Sequence, residues 1–119
     1  MKRDMDLVRD ILLNLEDAPF RSSWVELNLH KYASEEVSYH IMLLAQAGLI
    51  EAINLSSSGG MSWKAKWLTW EGHEFLEASR DQSRWEKAKS LIKQKGGGIV
   101  FSVLKDLLTK LVGQAVLGT

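Results

Sequence analysis

The chain has 119 residues, with fifteen Lys and Arg against fifteen Asp and Glu, three His and no Cys. That length fits one domain with an appended helical arm, and such a domain buries roughly two thirds of its unfolded surface without help from disulfides or metals. The missing cysteines exclude a disulfide framework, thiolate catalysis and cysteine zinc sites. The charged opening MKRDMDLVRD has no apolar signal core, and the apolar run 99–117 is broken by Lys105, Asp106 and Lys110, so the reading is a cytoplasmic protein with no membrane span.

The net charge of zero hides a division. Residues 1–79 carry 7 basic and 12 acidic side chains, a net of −5, while residues 80–119 carry 8 and 3, a net of +5. Such a split points to a polar partner, to head-to-tail self-association, or simply to one solvated basic helix.

In chain order, residues 2–17 place Met5, Val8, Ile11, Leu12 and Leu15 at i, i+3, i+6, i+7 and i+10, an amphipathic helix with one core stripe. Pro19, the single proline, marks its exit. Residues 24–29 alternate Trp24, Glu26 and Asn28 against Val25, Leu27 and Leu29, a strand pattern with the second set inward. Residues 30–33 leave room for barely one helical turn. The short helix that normally precedes a recognition helix, and steadies it on the phosphate backbone, is therefore shortened or missing.

Ser34 is a suitable N-cap, followed by Glu35 and Glu36, and Val37, Ile41, Leu44 and Ala45 form one helical face. Gly48 stands where a left-handed terminator is wanted. Residues 49–55 read as a strand, 56–60 as a Ser/Gly tip, and 62–68 as a second strand. In that strand Trp63, Ala65 and Trp67 face the core and Lys64 and Lys66 face away. Thr69 caps a helix carrying Trp70, Phe75 and Leu76. A helix ending in AGLI, a two-stranded wing and then LTWEGHEFL read as the latter part of a winged helix-turn-helix.

After Ala78 a further helix sets Trp85, Ala88, Leu91 and Ile92 on an apolar face and Arg84, Lys87, Lys89, Lys93 and Lys95 around it. Gly96, Gly97 and Gly98 form a hinge. Residues 99–117 resume as helix, with Phe101, Leu104, Leu108, Leu111 and Ala115 on one face, widened by Val100, Val103, Leu107 and Val112. That stripe is too broad for a helix lying on water. It caps the core or pairs with a second copy, and homodimerisation through Phe101, Leu104, Leu108 and Leu111 is the favoured choice. The expected fold is α+β and helix-rich: a degenerate winged helix over 1–80 and a two-helix arm over 81–119, in one compact unit.

Three motifs, MKRDMDLVRDILL, YHIMLLAQAGLIEA and LTWEGHEFLEASRD, together resemble a bacterial and phage family, domain-of-unknown-function family 2513. The resemblance spans nearly the whole chain. It implies a winged-helix-like fold, frequent occurrence in prophages and mobile elements, variation among members near residues 56–62, and no catalytic assignment.

For function, the start of the presumed recognition helix offers Ser34, Glu35, Glu36, Ser38 and Tyr39, and residues 34–50 contain no Lys or Arg. Base readers are usually Arg, Lys, Asn and Gln. Duplex DNA would therefore be held by Lys64 and Lys66 of the wing with Arg84, Lys87, Lys89 and Lys93 of the basic helix. Among the five tryptophans, Trp67 and Trp70 suit the core, while Trp24 and Trp63, with Tyr39, suit an exposed contact. His73 and Glu77 at i, i+4 lack a second ligand pair and read as a surface pair, and His40 reads as a structural hydrogen-bonder. No phosphate loop or nucleophile arrangement is present, and no cofactor or metal is expected. The expectation is a non-catalytic, prophage-type regulatory or accessory protein that binds DNA. The alternative is a protein–protein module that docks on a host protein through its acidic helix or its tryptophans.

Overall fold

The first helix begins where a carboxylate can cap it. Asp4 Oδ1 accepts hydrogen bonds from the Asp6 N–H (2.9 Å) and the Leu7 N–H (3.3 Å), so α1 runs over Met5–Asp17 and starts later than its sequence pattern suggests. In the computed structural model, which describes residues 1–94 and 98–118, α1 is followed by α2 (Ser34–Gln46), β1 (Ile50–Asn54), β2 (Trp63–Leu68), α3 (Trp70–Ser79), α4 (Gln82–Gln94) and α5 (Phe101–Val116). The architecture is α+β, with one two-stranded antiparallel sheet. The chain forms two compact units, Met1–His73 and Glu74–Thr119. Lys95, Gly96 and Gly97, part of the expected basic helix and hinge, lie outside the described residues.

In the first unit α1 and α2 both pack on the hairpin and on each other. The α1 stripe is buried as its spacing requires: Met5, Val8, Ile11, Leu12 and Leu15, joined by Leu7. Ile41, Leu44, Leu49, Ile50, Ala65, Leu68 and Val25 complete the core. Each such Leu or Ile contributes roughly 1.5–3 kcal/mol by leaving water. His40, fully buried, ties α1 to α2. Its Nε2 accepts the Asp4 N–H at 2.8 Å and its Nδ1 lies 2.8 Å from the Glu36 carbonyl. A carbonyl only accepts, so Nδ1 carries the ring hydrogen.

Two local expectations change. Ala33, not Ser34, occupies the cap position of α2, and no side chain caps that helix. Residues 24–29 are extended but form no regular strand: Val25 N–H donates to Ala65 O (2.9 Å) and Asn28 N–H to Asn14 Oδ1 (3.2 Å). Val25 is buried and Leu27 and Leu29 half-buried, so the inward alternation holds without a ladder. A turn at residues 30–31 stands where the short helix before a recognition helix would be.

The α2-to-β1 corner and the start of α3 lock together. Gly48 has φ 79, a conformation glycine adopts at little cost. Thr69 Oγ1 donates to Gly48 O (2.6 Å) and accepts the Gly72 N–H (3.1 Å), while Thr69 N–H donates to Leu49 O (3.1 Å). Thr69 therefore caps α3 as its position suggests.

In the second unit Asp81 caps α4, accepting the Arg84 N–H at 2.9 Å. α4 packs on α5. The Phe75 ring meets Trp85 edge-on at 6.4 Å and Phe101 at 4.9 Å, and Trp85, Leu104 and Leu108 are buried. Among the described residues, no helix is long and apolar enough to cross a membrane.

Candidate nucleic-acid interface

The hairpin buries one face and leaves the other open. Ile50 pairs with Leu68, Ala52 with Ala65, and Ile53 with Lys64. Ile50, Ala65 and Leu68 are buried, which marks the face turned to the helices. Between Glu51 and Ala52 the register slips: Glu51 pairs with Trp67 and Ala52 with Ala65, so Lys66 is an extra, bulged residue. The bulge breaks the expected alternation. Leu68 takes the inner side, and Trp67, opposite Glu51, moves to the outer face with Lys64 and Lys66.

Each lysine there lies over an indole. Lys64 Nζ is 5.0 Å from the Trp24 ring centroid and Lys66 Nζ is 5.0 Å from that of Trp67. An exposed cation–π pair is worth about 0.5–1 kcal/mol, enough to order a lysine without neutralising it. The Phe20 ring lies against Trp67, centroids 5.2 Å apart and planes tilted by 39°, yet Phe20 remains 74% exposed. Lys64 also approaches Glu26 Oε2 at 3.9 Å. That carboxylate is largely in solvent, and such a pair contributes about 1 kcal/mol at most. Arg21, exposed, borders a shallow hollow with Trp24 and Glu26. The outer face thus combines rings and cations: Trp24, Lys64, Lys66, Trp67 and Phe20.

Most of the other candidate residues lie on other elements. α2 carries no Lys or Arg; Ser34 and Glu35 are exposed and Glu36 half-buried at its start. Ser38, expected on the exposed side, is buried and accepts the Trp63 N–H at 2.6 Å. Tyr39 is half-buried, edge-on to His40 at 5.8 Å. Trp24 and Trp63 are half-buried instead of projecting, and Trp70, assigned to the core on its size, is 77% exposed. On α4, Lys87 and Lys93 are exposed and Arg84 is half-buried. Lys89 is not free for phosphate: it is buried, with Nζ 3.2 Å from Glu86 Oε1 and 5.6 Å from the Trp85 ring. Its aliphatic stem covers apolar surface while the ammonium reaches out. On α5, Leu104 and Leu108 are fully buried within one chain and leave no surface for a second copy. Phe101 rests on Phe75, Leu111 is half-buried, and the exposed apolar side chains include Val103, Ala115 and Val116. His73 and Glu77 are each exposed, and among the described residues no three His, Cys, Asp or Glu side chains are grouped to hold a metal ion.

A second concavity, of about 420 Å³, lies between the 25–34 segment, the start of α2 and the hairpin, and is lined by Val25, Leu27, Leu29, Val37, Met61 and Trp63 among others. It opens beside the turn that replaces the missing helix.

A family model described as "Hypothetical protein (DUF2513)" matches residues 2–98. The chain belongs to that family. A Haemophilus influenzae protein with the name "Uncharacterized protein" is 42% identical to this DUF2513 chain over 115 residues, covering 96% of this chain and 98% of the relative. No solved structure matches.

Reading the DUF2513 sequence alone misses Phe20, Glu26 and the outward turn of Trp67 as parts of one surface. One signal was present. Phe20 follows the single proline and precedes Arg21-Ser-Ser, and an aromatic in a polar loop has no core to enter. The bulge that brings Trp67 beside it left only the odd spacing of Ala65 and Leu68.

Proposed function

We propose that this DUF2513 protein is a non-catalytic accessory protein that binds nucleic acid through the outer face of its hairpin. The observation that carries this reading is the pair of ring-supported lysines on the sheet face opposite the one α2 packs against. α2 itself is unsuited to phosphate, since Glu35 and Glu36 stand at its start without a basic residue in the helix. Binding would therefore proceed without a standard recognition helix. A regulatory role suits such a protein acting in the cytosol, and the family resemblance implies frequent occurrence in prophages.

The test is fluorescence anisotropy against labelled oligonucleotides, beginning near 50 mM salt, where phosphate contacts are strong. Affinity should fall steeply with salt. Lys64→Ala combined with Lys66→Ala should weaken binding to all sequences alike and reduce the salt slope by about two. Unchanged affinity in that variant removes the hairpin from the mechanism.

A second reading, a protein-docking module, is favoured by the concavity beside the missing helix, where Leu27, Val37 and Met61 stand among Glu26, His30 and Lys64, and by exposed Trp70. Exposed aromatics of this kind anchor protein interfaces. Absence of oligonucleotide binding at low salt would leave that reading in place.

A further inference from the structure

We infer that the outer face of the hairpin is a stacking platform for unpaired bases, so that the nucleic acid this chain takes is single-stranded. The inference rests on the nucleic-acid reading above and deepens it.

Base pairs in a duplex stack on each other and offer a side chain only their edges. A ring therefore finds no base face to cover on an intact duplex. The ring surfaces here are Trp24 at one end of the patch and Trp67 with Phe20 at the other. Between them stand Lys64 and Lys66, two residues apart on β2, a separation of about 7 Å along a strand. Each ammonium sits 5.0 Å from a ring centroid. A base laid on the aromatic group would bring its phosphate near the lysine that belongs to it. Aromatic platforms flanked by cations hold single strands with little sequence preference, because every base has a π face.

The exposure of Phe20 supports the same conclusion. At 74% exposed it contributes little to the core, while its ring contacts Trp67 in a hollow also lined by Lys66 and His73. Charge complementarity is local. Glu26 beside Lys64, Glu51 opposite Trp67 and Glu16 in the hollow it shares with Phe20, Lys66 and Trp67 are carboxylates at this face, and phosphate must displace Glu26 from Lys64. Their presence, and the small number of rings, predict a short footprint and weak, strongly salt-dependent binding.

The experiment compares three labelled ligands of equal strand length, about a dozen nucleotides: a mixed-sequence single strand, the same strand carrying abasic sites in place of bases, and the duplex. Deoxy and ribo strands are both used. The intact single strand should bind about tenfold or more tightly than the abasic strand, and more tightly than the duplex. Phe20→Ala should weaken single-strand binding about tenfold and leave abasic binding unchanged. Phe20→Leu should behave like Phe20→Ala, and Phe20→Trp should retain binding, which separates stacking from simple apolar contact. Because Phe20 is largely exposed, these variants should melt like the wild type. Equal affinity for intact and abasic strands, a preference for duplex, or indifference to Phe20→Ala overturns the platform while leaving phosphate binding standing. No binding of any ligand at low salt overturns both readings.

Discussion

Replacing Gly72 by Ala should damage the fold more than any other single methyl added at the glycines described above. A Cβ on Gly72 would overlap the Leu49 carbonyl oxygen and come within 3.0 Å of the carbonyl carbon, where ordinary contacts begin near 3.4 Å. Both obstructing atoms are backbone, so no rotamer change relieves them. α3 or the start of β1 must shift, and the shift strains Thr69 N–H to Leu49 O (3.1 Å) and Thr69 Oγ1 to Gly48 O (2.6 Å). Overpacking costs about 1–3 kcal/mol, and each weakened hydrogen bond about 0.5–1.5 kcal/mol. A total of about 3 kcal/mol follows, a fall in Tm on the order of 10 °C for a chain of this size. Urea denaturation of the wild type, Gly72→Ala, Gly48→Ala and Gly113→Ala provides the assay. Gly48→Ala adds a Cβ in open space at φ 79 and should cost about 1 kcal/mol through backbone strain alone. Gly113→Ala, inside α5 with nothing within 4 Å, should stabilise by up to about 1 kcal/mol. A Gly72→Ala protein within about 0.5 kcal/mol of wild type would refute the close approach of α3 to Leu49.

Other outcomes follow from single contacts. Ser38→Ala removes the buried acceptor of the Trp63 N–H and should cost about 1–3 kcal/mol, with faster hydrogen exchange at that amide. His40→Leu keeps the volume but orphans the Asp4 N–H; a loss of about 1–3 kcal/mol in urea denaturation is expected. Burial first, then the hydrogen bond and negative charge of Asp10, raise the Tyr32 phenol well above its ordinary value near 10. Its contribution to stability is therefore complete below about pH 10 and declines as pH rises past the unfolded-state value. Tyr32→Phe should abolish that decline in denaturation curves taken at successive alkaline pH values. Glu26→Gln releases Lys64 and should tighten oligonucleotide binding a few-fold, read by anisotropy at fixed salt.

Much of the fold could be read from local chemistry. The α1 stripe, the left-handed Gly48, the Thr69 cap and the structural role of His40 each follow from one residue type in one position. Size and charge mislead wherever the face a residue occupies decides its burial. Trp70 looks like core by size. Yet Gly72, Phe75, Leu76 and Ser79, at i, i+3, i+4 and i+7, are the buried positions of α3, and Trp70 lies off that face. Lys89 looks like surface by charge, but it shares the inward face with Trp85, Ala88 and Ile92. The outer face of the hairpin was the least legible part. WKAKWL alternates regularly, so nothing in its period announces a bulge. Only the need to bury both Ala65 and Leu68, three residues apart, requires an extra residue between them.

The most direct test of the binding account is an amide and indole ¹H–¹⁵N spectrum recorded while a single-stranded oligonucleotide is added. Each of the five tryptophans reports through its own Nε1–H. The Trp24 and Trp67 indole signals should shift together with the Lys64 and Lys66 amides, while the Trp85 indole, 1% exposed, stays still. Movement confined to Trp70, or to the amides of α2, with Trp24 and Trp67 unchanged, would contradict it.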